Sequence, residues 1–342
     1  MKKSFGSMTV EPGTKSKGFL EVTTRIDGTP VHIPLIVLNG EQEGPTLVVD
    51  ACVHGNEIDG ALAIIRLVQT LDPKKLKGTL VCAPYLNPDA VLGRERGSRF
   101  DTWLHDGNRY WPGRANGSIT ERLLHKYFSE VVSKADCMIN IHSAGGTTTW
   151  FYNAICREED ERAMKMVLHS GISFISHFKV KGAAGARVKA YDALLVEKGI
   201  TKVGLEMPGA HMKPDELEET LRLAVKYLAN MMKTLDMVEG KPESLPESVC
   251  TIDMGKTLLR NNTGGFCIGE PTIKMGDHVK KGTNLATIVN AFGEEVERVD
   301  APFDGILMGV RTYSTIFAGE YAAILAPIIK TTRLTQHKDF VQ

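Results

Sequence analysis

Two histidines and a glutamate follow apolar segments of the chain at spacings that suit metal ligands. His54 and Glu57 lie three positions apart after the apolar segment 47–53, and His142 directly follows the apolar segment 137–141. Imidazole nitrogen and carboxylate oxygen bind Zn²⁺, and a catalytic zinc site has three protein ligands and one open position. Alternatively, His54 only forms hydrogen bonds and Glu57 caps a helix, since acids favour a helix N-terminus. The second histidine in the same setting favours the metal site.

Glu206 ends a further apolar segment, residues 203–206. A carboxylate there could accept a proton from a water molecule that a metal ion activates. It could equally cap the next helix or pair with a lysine. The residues alone leave these alternatives open.

The segment 87–118 is rich in arginine, aspartate, glycine and asparagine and shows little periodicity. A long irregular segment in a compact domain is usually functional. Arg99 and Arg109 could clamp a substrate carboxylate with two hydrogen bonds each, which lysine does less well. Asn108 could orient the substrate or polarise its carbonyl group. The alternative for each arginine is a solvated surface side chain.

The elements that must position these residues alternate between strands and helices. A hairpin is predicted over 19–38 around Asp27-Gly28. The other predicted strands are 47–53, 79–83, 137–141, 148–156 and 203–206. The predicted helices begin at Ile58, run from Ser118 to about 134, span 158–170, and run from Pro214 to about 235. This order predicts an α/β fold with a mixed or mostly parallel sheet and a site at the carboxyl ends of its strands.

The polar, proline-containing stretch 239–248 is predicted to link two domains, residues 1–240 and 250–330. Beyond the linker the chain changes to short strands separated by glycines, with a faint internal repeat. Residues 279–288 match 316–325, and 265–269 match 305–309. Two such copies folded on one another predict a small β sandwich.

The composition argues against several classes of protein. Lys+Arg and Asp+Glu both number 41, so no bulk charge attracts nucleic acid or an anionic membrane. No apolar run reaches the length needed to span a bilayer, and no signal peptide follows the first lysines. Six scattered cysteines without a CxxC pair favour free thiols in the cytoplasm over disulfides. The remaining histidines are expected to be structural or solvated, with His211 held open because it lies near Glu206. Arg187 is a further candidate whose reach to the site the sequence does not decide.

Taken together, the residues resemble one enzyme family, the succinylglutamate desuccinylase/aspartoacylase family, over roughly residues 45–235. The matching motifs, in order, are His54-Gly-Asn-Glu57, Asn87-Pro-Asp-Ala90, Arg99-Phe-Asp101, Asn108-Arg109, Pro112-Gly113, His142 and Glu206. The resemblance implies a zinc-carboxypeptidase-like mixed sheet flanked by helices. Residues 255–326 are similar to the biotinyl/lipoyl-like barrel-sandwich domain that many members carry.

The resemblance also implies an activity and roles for residues. One Zn²⁺ per chain is expected on His54, Glu57 and His142, with Glu206 as the base that activates water. Arg99, Asn108 and Arg109 are expected to bind a small N-acylated amino acid, whose amide bond the enzyme hydrolyses. The alternatives are a zinc carboxypeptidase acting on short peptides and, from another class, a non-catalytic binding or assembly protein with a degenerate metal site. Assembly into a homo-oligomer is left open.

Three features, at positions 140, 107 and 143–146, depart from the family pattern. Asn140 stands where aspartate is common, and Gly107 replaces the usual leucine before Asn-Arg. Residues 143–146 offer no side chain obviously suited to reading a substrate. The hairpin 289–294 has no lysine at its tip, so no covalent biotin or lipoate is expected. The C-terminal β domain is expected to cover the site or to mediate assembly.

Overall fold

The structure, a computed structural model, describes residues 1–177, 182–209, 212–254 and 258–334. Its strands are β1 Lys3–Phe5, β2 Met8–Val10, β3 Thr14–Thr24, β4 Pro30–Asn39, β5 Gln42–Ala51, β6 Lys77–Ala83, β7 Cys137–Ser143, β8 Thr148–Trp150, β9 Asn153–Ile155, β10 Phe174–His177, β11 Thr201–Met207, β12 Ser248–Asp253, β13 Leu258–Arg260, β14 Gly265–Gly269, β15 His278–Val279, β16 Asn284–Val289, β17 Glu295–Asp300, β18 Gly305–Arg311, β19 Thr315–Ile316, β20 Tyr321–Ala326 and β21 Ile328–Arg333. Its α-helices are α1 Asp59–Thr70, α2 Pro88–Gly93, α3 Ile119–Glu130, α4 Glu161–Leu168, α5 Gly182–Glu197 and α6 Pro214–Thr234.

A ten-stranded sheet dominates the described part of the chain, in the order β21-β12-β10-β9-β11-β7-β5-β6-β4-β3. The pairs β5/β6, β5/β7, β7/β11, β9/β10 and β10/β12 are parallel, and the other pairs are antiparallel. The expected mixed α/β sheet is therefore confirmed. Within the described residues, no helix is long and apolar enough to cross a membrane.

The central strands are buried because helices cover both faces of the sheet. Residues 47–49 in β5 are fully buried, as their continuous apolar run predicts. Helices α1 and α6 pack on one face, and α3 and α5 pack on the other. This arrangement leaves the carboxyl ends of β5, β7 and β11 at one edge of the sheet.

Several elements differ from those expected. The segment 87–118 contains the short helix α2, and the single strand expected over 148–156 is two strands, β8 and β9. These two strands join different sheets. Strand β10 and helix α5 were not predicted, because β10 is only four residues long and the apolar residues of α5 do not follow one helical face.

The C-terminal strands form two further antiparallel sheets, and in the described residues they close no barrel. One sheet has the order β13-β20-β18-β15, and the other has the order β17-β16-β14-β19. Apolar side chains of both sheets share one core, for example Leu285 of β16 with Leu307 of β18 and Leu325 of β20. The expected sandwich of two sheets is thus present.

The two sheets are joined to the large sheet by the chain connections to β12 and β21 and by one strand pair. Strands β12 and β21, which precede and follow them in the chain, pair with each other at the edge of the ten-stranded sheet. Strand β8 leaves the main body and pairs with β18. We call residues 258–326 the β insertion.

Candidate active site

The three predicted metal ligands meet at the carboxyl edge of the sheet. His54 and Glu57 lie in the loop between β5 and α1, and His142 lies near the end of β7. Glu57 contacts both histidines, with Oε1 2.8 Å from His54 Nδ1 and Oε2 3.0 Å from His142 Nδ1. One ligand atom from each residue lies within 4.8 Å of the others, and all three residues are buried.

Neighbouring side chains fix the orientation of both imidazole rings. Asp106 Oδ1 lies 2.9 Å from His54 Nε2, and Asn108 Nδ2 lies 3.2 Å from His142 Nε2. Trp111 Nε1 donates to Asn108 Oδ1 at 3.1 Å and so holds that amide in place. The Asp106 carboxylate is the usual support of a metal-binding histidine, because it accepts from the ring nitrogen that faces away from the ion, whereas Asn108 Nδ2 donates to His142 Nε2.

Gly55 is required in this loop by the close approach of α2. A Cβ atom on Gly55 would lie 1.9 Å from the backbone carbonyl carbon of Ala90, a distance that excludes any side chain. The Gly55 amide donates to the Arg96 carbonyl oxygen at 3.4 Å. The loop that carries His54 and Glu57 is therefore held by backbone contacts.

The charges of the cluster follow from burial and mutual hydrogen bonds. Burial opposes ionisation of Glu57, but hydrogen bonds to His142 and His54 outweigh it and lower the pKa of Glu57 to about 2. Burial lowers the pKa of His142. Burial has the same effect on His54, but hydrogen bonds to Asp106 and Glu57 outweigh it and raise its pKa. Glu57 is thus ionised at neutral pH, as a metal ligand must be.

Glu206 lies beside His142, because their Cα atoms are register partners in the parallel pair β7/β11. Its side chain is half-buried and faces the same cavity as the three ligand residues. Burial and the negative charge of Glu57 hold the pKa of Glu206 well above its usual range. A carboxylate with a raised pKa beside a candidate metal site is suited to take up and release a proton.

A buried polar network supports the strands beneath the site. Asn140 Nδ2 donates to Asp50 Oδ1, and Tyr127 donates to Asp50 Oδ2 at 3.2 Å. Asp50 is fully buried, and burial raises its pKa to about 7 despite both hydrogen bonds. The unusual Asn140 thus binds the carboxylate of Asp50 and also lines the cavity.

The site opens into a cavity of about 970 Å³. His54, Glu57 and His142 line one end of it, together with Arg96 and Arg109. The β insertion contributes part of the wall through Leu258 and Tyr321.

The structure brings most of the predicted site residues together, but not Arg99. His54, Glu57, His142, Glu206, Asn108 and Arg109 all line the cavity. The Arg99 guanidinium instead donates to Glu95 Oε1 at 2.6 Å and to the Gly93 carbonyl oxygen at 3.3 Å, and it does not line the cavity. Arg96 lines the cavity instead, and its guanidinium donates to Glu57 Oε1 at 3.4 Å and to Asp106 Oδ2 at 3.1 Å.

Three other candidates have different outcomes. His211 lies outside the described residues. Arg187 is exposed, with its guanidinium 4.6 Å from the centre of the Tyr110 ring, and it is not among the cavity residues. His177, expected to be structural or solvated, ends β10 and lines the cavity. The sequence does not show that His177 ends a strand, because β10 is too short to be predicted.

Sequence reasoning missed Arg96 and Asp106. Both lie in the arginine-rich segment 87–118. Nothing in the spacing of 94, 96 and 99 distinguishes the arginine that faces the cavity from those that face solvent. Asp106 stands two positions before Asn108 and caps the short helix 107–109, accepting from the Asn108 amide at 3.1 Å.

Comparison with known proteins identifies the family. A model of the succinylglutamate desuccinylase/aspartoacylase catalytic domain matches residues 43–231. The chain belongs to the succinylglutamate desuccinylase/aspartoacylase family. A relative, N-alpha-acetyl-L-2,4-diaminobutyric acid deacetylase of Halomonas elongata, is 24% identical over 325 residues, which cover 92% of this chain and 92% of the relative.

Solved structures share the fold over nearly the whole chain. The product-bound ectoine utilization protein EutE (DoeB) of Ruegeria pomeroyi is 23% identical, with a TM-score of 0.80 over 94% of this chain and 98% of that one. A succinylglutamate desuccinylase of a Silicibacter species is 24% identical, with a TM-score of 0.78 over 93% of this chain and 96% of that one. Both alignments include the β insertion as well as the family's catalytic region, given their coverage.

The donor set of this family member fits a zinc ion. Two imidazole Nδ1 atoms and an ionised carboxylate converge, and the far nitrogen of each ring has a polar partner. This nitrogen and oxygen set is one that zinc hydrolases use, with a further coordination position left for water.

Proposed function

We propose that this protein is a zinc-dependent deacylase that hydrolyses the N-acyl amide bond of a small N-acylated amino acid in the cytoplasm. The observation that carries the proposal is the convergence of His54, Glu57 and His142 within 4.8 Å at the end of a cavity that Glu206 also lines. Family membership and the deacetylase name of the Halomonas elongata relative support an amide-hydrolysing enzyme. Six free cysteines support a reducing compartment.

We assign the metal to His54, Glu57 and His142, one ion per chain. A zinc ion held there would polarise the acyl carbonyl group and lower the pKa of a water molecule to about 7. Asp106 and Asn108 keep the two imidazole rings directed toward the ion.

Glu206 is the proton carrier of the proposed reaction. It takes a proton from the attacking water and delivers it to the nitrogen of the leaving amine, so that the carbon–nitrogen bond breaks to give a carboxylate and a free amine. Its raised pKa favours uptake of a proton, which a group that relays protons requires.

Arg96, Asn108 and Arg109 are assigned to substrate binding. Both guanidinium groups line the cavity beside the metal cluster, where a planar fork can hold a carboxylate with two hydrogen bonds. The exposed Arg99 is replaced by Arg96 in this assignment. The fold assigned to the catalytic region is the zinc-carboxypeptidase-like one, and the β insertion is assigned to the biotinyl/lipoyl-like class without a modified lysine.

The test combines metal analysis with a substrate comparison. Protein purified without chelator is expected to contain about one zinc per chain and to lose activity on chelation, with recovery on addition of zinc. Hydrolysis of N-acetyl, N-succinyl and N-formyl amino acids is then compared with that of dipeptides. Preference for dipeptides would assign a carboxypeptidase instead, and protein that binds no zinc and hydrolyses neither class would be a binding or assembly protein.

A further inference from the structure

We propose that the cavity has a second binding site, at Lys202 and Asp192, for the free α-amino and α-carboxylate groups of a diamino acid that is acylated on its distal nitrogen. The proposal rests on the deacylase function above and names its substrate class. An ω-N-acyl diamino acid about as long as lysine would place its amide at the metal site and its zwitterionic end at this pair, and Arg96 and Arg109 would then donate to its acyl group in place of an α-carboxylate.

One face of β11 connects the two sites. Side chains alternate along a strand, so positions 202, 204 and 206 point to the same side, and all three line the cavity. The middle position is Gly204, which contributes no side chain. We call this part of the cavity, from Glu206 past Gly204 to Lys202, the β11 arm.

The β11 arm makes the cavity larger than a short substrate requires. The volume of about 970 Å³ is at the upper end of the roughly 300–1,000 Å³ found for pockets that hold drug-sized ligands. Apolar side chains form its sides, including Ile155 from β9 and Val188 and Leu195 from α5. These walls suit the methylene chain of a ligand.

The far end of the arm carries both signs of charge. Lys202 Nζ lies 3.2 Å from Asp192 Oδ1, and both side chains are only about 30% exposed. The Lys202 ammonium also lies 5.1 Å from the centre of the Tyr191 ring, which fixes its position further. The other charged residues that line the cavity also have both signs, with Arg157 and Lys189 beside the acids at 158–160. This balance favours a zwitterion over a simple anion or cation.

The length of the arm selects where the acyl group is attached. The Cα atoms of Glu206 and Lys202 are four residues apart on a strand, which corresponds to about 13 Å. In an ω-N-acyl lysine, six bonds join the acyl carbon to the α-carbon and span about 7 Å. The α-substituents and the Lys202 side chain bridge the remainder. In an α-N-acyl amino acid only three bonds, about 4 Å, join the acyl carbon to the carboxylate, so that carboxylate cannot reach Lys202.

The reaction has the same steps as the deacylation proposed above. Water adds its oxygen to the acyl carbon, the bond between that carbon and the ω-nitrogen breaks, and a proton passes to the nitrogen. The products are the acyl carboxylate and the free diamino acid.

The first test compares four acetylated compounds. We expect kcat/KM for Nε-acetyl-L-lysine to exceed that for Nα-acetyl-L-lysine at least tenfold. N-acetylcadaverine, which lacks the α-carboxylate, is expected to lose at least tenfold relative to Nε-acetyl-L-lysine. Nδ-acetyl-L-ornithine is one methylene shorter, and its kcat/KM is expected to lie between those for Nε-acetyl-L-lysine and N-acetylcadaverine.

Variants then locate the effect. Lys202→Met and Asp192→Asn are expected to lower the ratio of kcat/KM for Nε- over Nα-acetyl-L-lysine at least tenfold. Gly204→Ala is expected to lower the same ratio, because its Cβ would lie 3.3 Å from Ile155 Cβ and narrow the arm. Lys198→Met, which removes an exposed lysine outside the cavity, is the matched control. Calorimetric binding of L-lysine, which does not depend on turnover, is expected for the wild-type protein and weakened at least tenfold in Lys202→Met.

Three results would overturn the proposal. The first is preferential hydrolysis of Nα-acetyl-L-lysine with the substrate ratio unaffected by Lys202→Met, which would leave the deacylase function standing. The second is a preference for long Nα-acyl chains that is lost in Gly204→Ala but kept in Lys202→Met, which would make the arm an acyl-chain site. The third, if no amide is hydrolysed at all, is L-lysine binding that is absent or equal in the wild-type protein and in Lys202→Met.

Discussion

Glu57 and Glu206 face one cavity, yet their surroundings move their pKa values in opposite directions. Hydrogen bonds to two histidines overcome burial and lower the pKa of Glu57 to about 2, whereas burial and the charge of Glu57 raise that of Glu206. Carboxyl groups separated in this way can take different roles. The first is suited to bind a cation permanently, and the second to exchange a proton.

Glu206→Gln tests the second role. The amide is similar in shape but cannot take up a proton, so kcat is expected to fall at least about 100-fold. Zinc content and the free energy of unfolding are expected to stay close to those of the wild type. Near wild-type turnover by the variant would remove Glu206 from the proton transfer.

Arg96 and Arg99 form a natural pair of test and control. Arg96→Ala is expected to lower kcat/KM about 100-fold, because Arg96 lines the cavity and its guanidinium can donate two hydrogen bonds to the substrate. Arg99→Ala is expected to change kcat/KM less than about twofold, since Arg99 forms an exposed ion pair with Glu95. Zinc content is measured for both, because Arg96 also contacts Glu57. The reverse ranking would restore Arg99 as the binding residue.

Asp50 makes stability depend on pH. Its pKa is raised to about 7 in the folded protein, against about 4 in the unfolded chain. Between these pH values only the folded protein holds the proton, so the free energy of unfolding falls as the pH rises from about 4 to about 7. Asp50→Asn removes this effect. Between pH 5 and pH 8 the free energy of unfolding of the variant is expected to fall by about 3 kcal/mol less than that of the wild-type protein. Denaturant titrations of both proteins at the two pH values provide the measurement. Equal pH dependence would show that Asp50 is ionised in the folded state at pH 5.

At the residue scale, the placement of site residues could be predicted at strand ends but not in the irregular loop. His54, Glu57, His142 and Glu206 each follow or end an apolar run, and such ends meet at one edge of a parallel sheet. Arg96 lines the cavity and Arg99 does not, and the sequence could not show this because an irregular loop has no period that tells which side chains turn inward.

At the scale of elements, the helix α3 shows how a local signal can be checked. The predicted capping box is present, with Ser118 Oγ accepting from the Glu121 amide at 3.4 Å and Glu121 Oε2 accepting from the Ser118 amide at 3.0 Å. The same hydroxyl donates to Asp101 Oδ2 at 2.7 Å. The cap therefore joins the helix to the loop that carries the substrate-binding residues.

Ser118→Ala is expected to lower the free energy of unfolding by about 1 kcal/mol, the usual cost of a lost N-cap. Ser133→Ala, which removes a hydroxyl bound only to the Ser129 carbonyl oxygen at 2.8 Å, is the control and is expected to cost less. Thermal or denaturant unfolding gives the comparison. An equal loss in both variants would mean that the cap contributes nothing specific.

The elements that could be predicted are those with a strong local pattern. Helices α1 and α6 have clear apolar faces, and β5 and β7 are continuous apolar runs. Helix α5 lacks such a face, and several of its residues line the cavity, among them Val188 and Leu195.

At the scale of the whole molecule, the β insertion begins and ends at neighbouring strands. Asp253 of β12 donates its amide to the Pro327 carbonyl oxygen at 3.0 Å, so the two ends lie side by side. Replacing residues 255–326 with a short glycine linker is expected to leave the ten-stranded sheet folded. The variant is expected to keep zinc but to lose at least tenfold in kcat/KM, because Leu258 and Tyr321 no longer form part of the cavity wall.

Circular dichroism, zinc analysis and kinetics of the linker variant test this expectation. Truncation after residue 247 is the contrasting case, because it also removes β12 and β21 and leaves β10 as an unpaired edge strand. That protein is expected to aggregate. A linker variant with full kcat/KM would show that the insertion has no part in binding substrate.

The placement of the insertion separates two properties on which selection can act. The proposed metal ligands and Glu206 all belong to the large sheet and its loops, whereas part of the cavity wall belongs to a segment that enters and leaves at one edge. A gene can therefore acquire changes, or even a different insertion, between the codons for β12 and β21 without altering the reacting groups. In a lineage built on this plan, the range of substrates can diversify through the insertion while the chemistry is inherited intact.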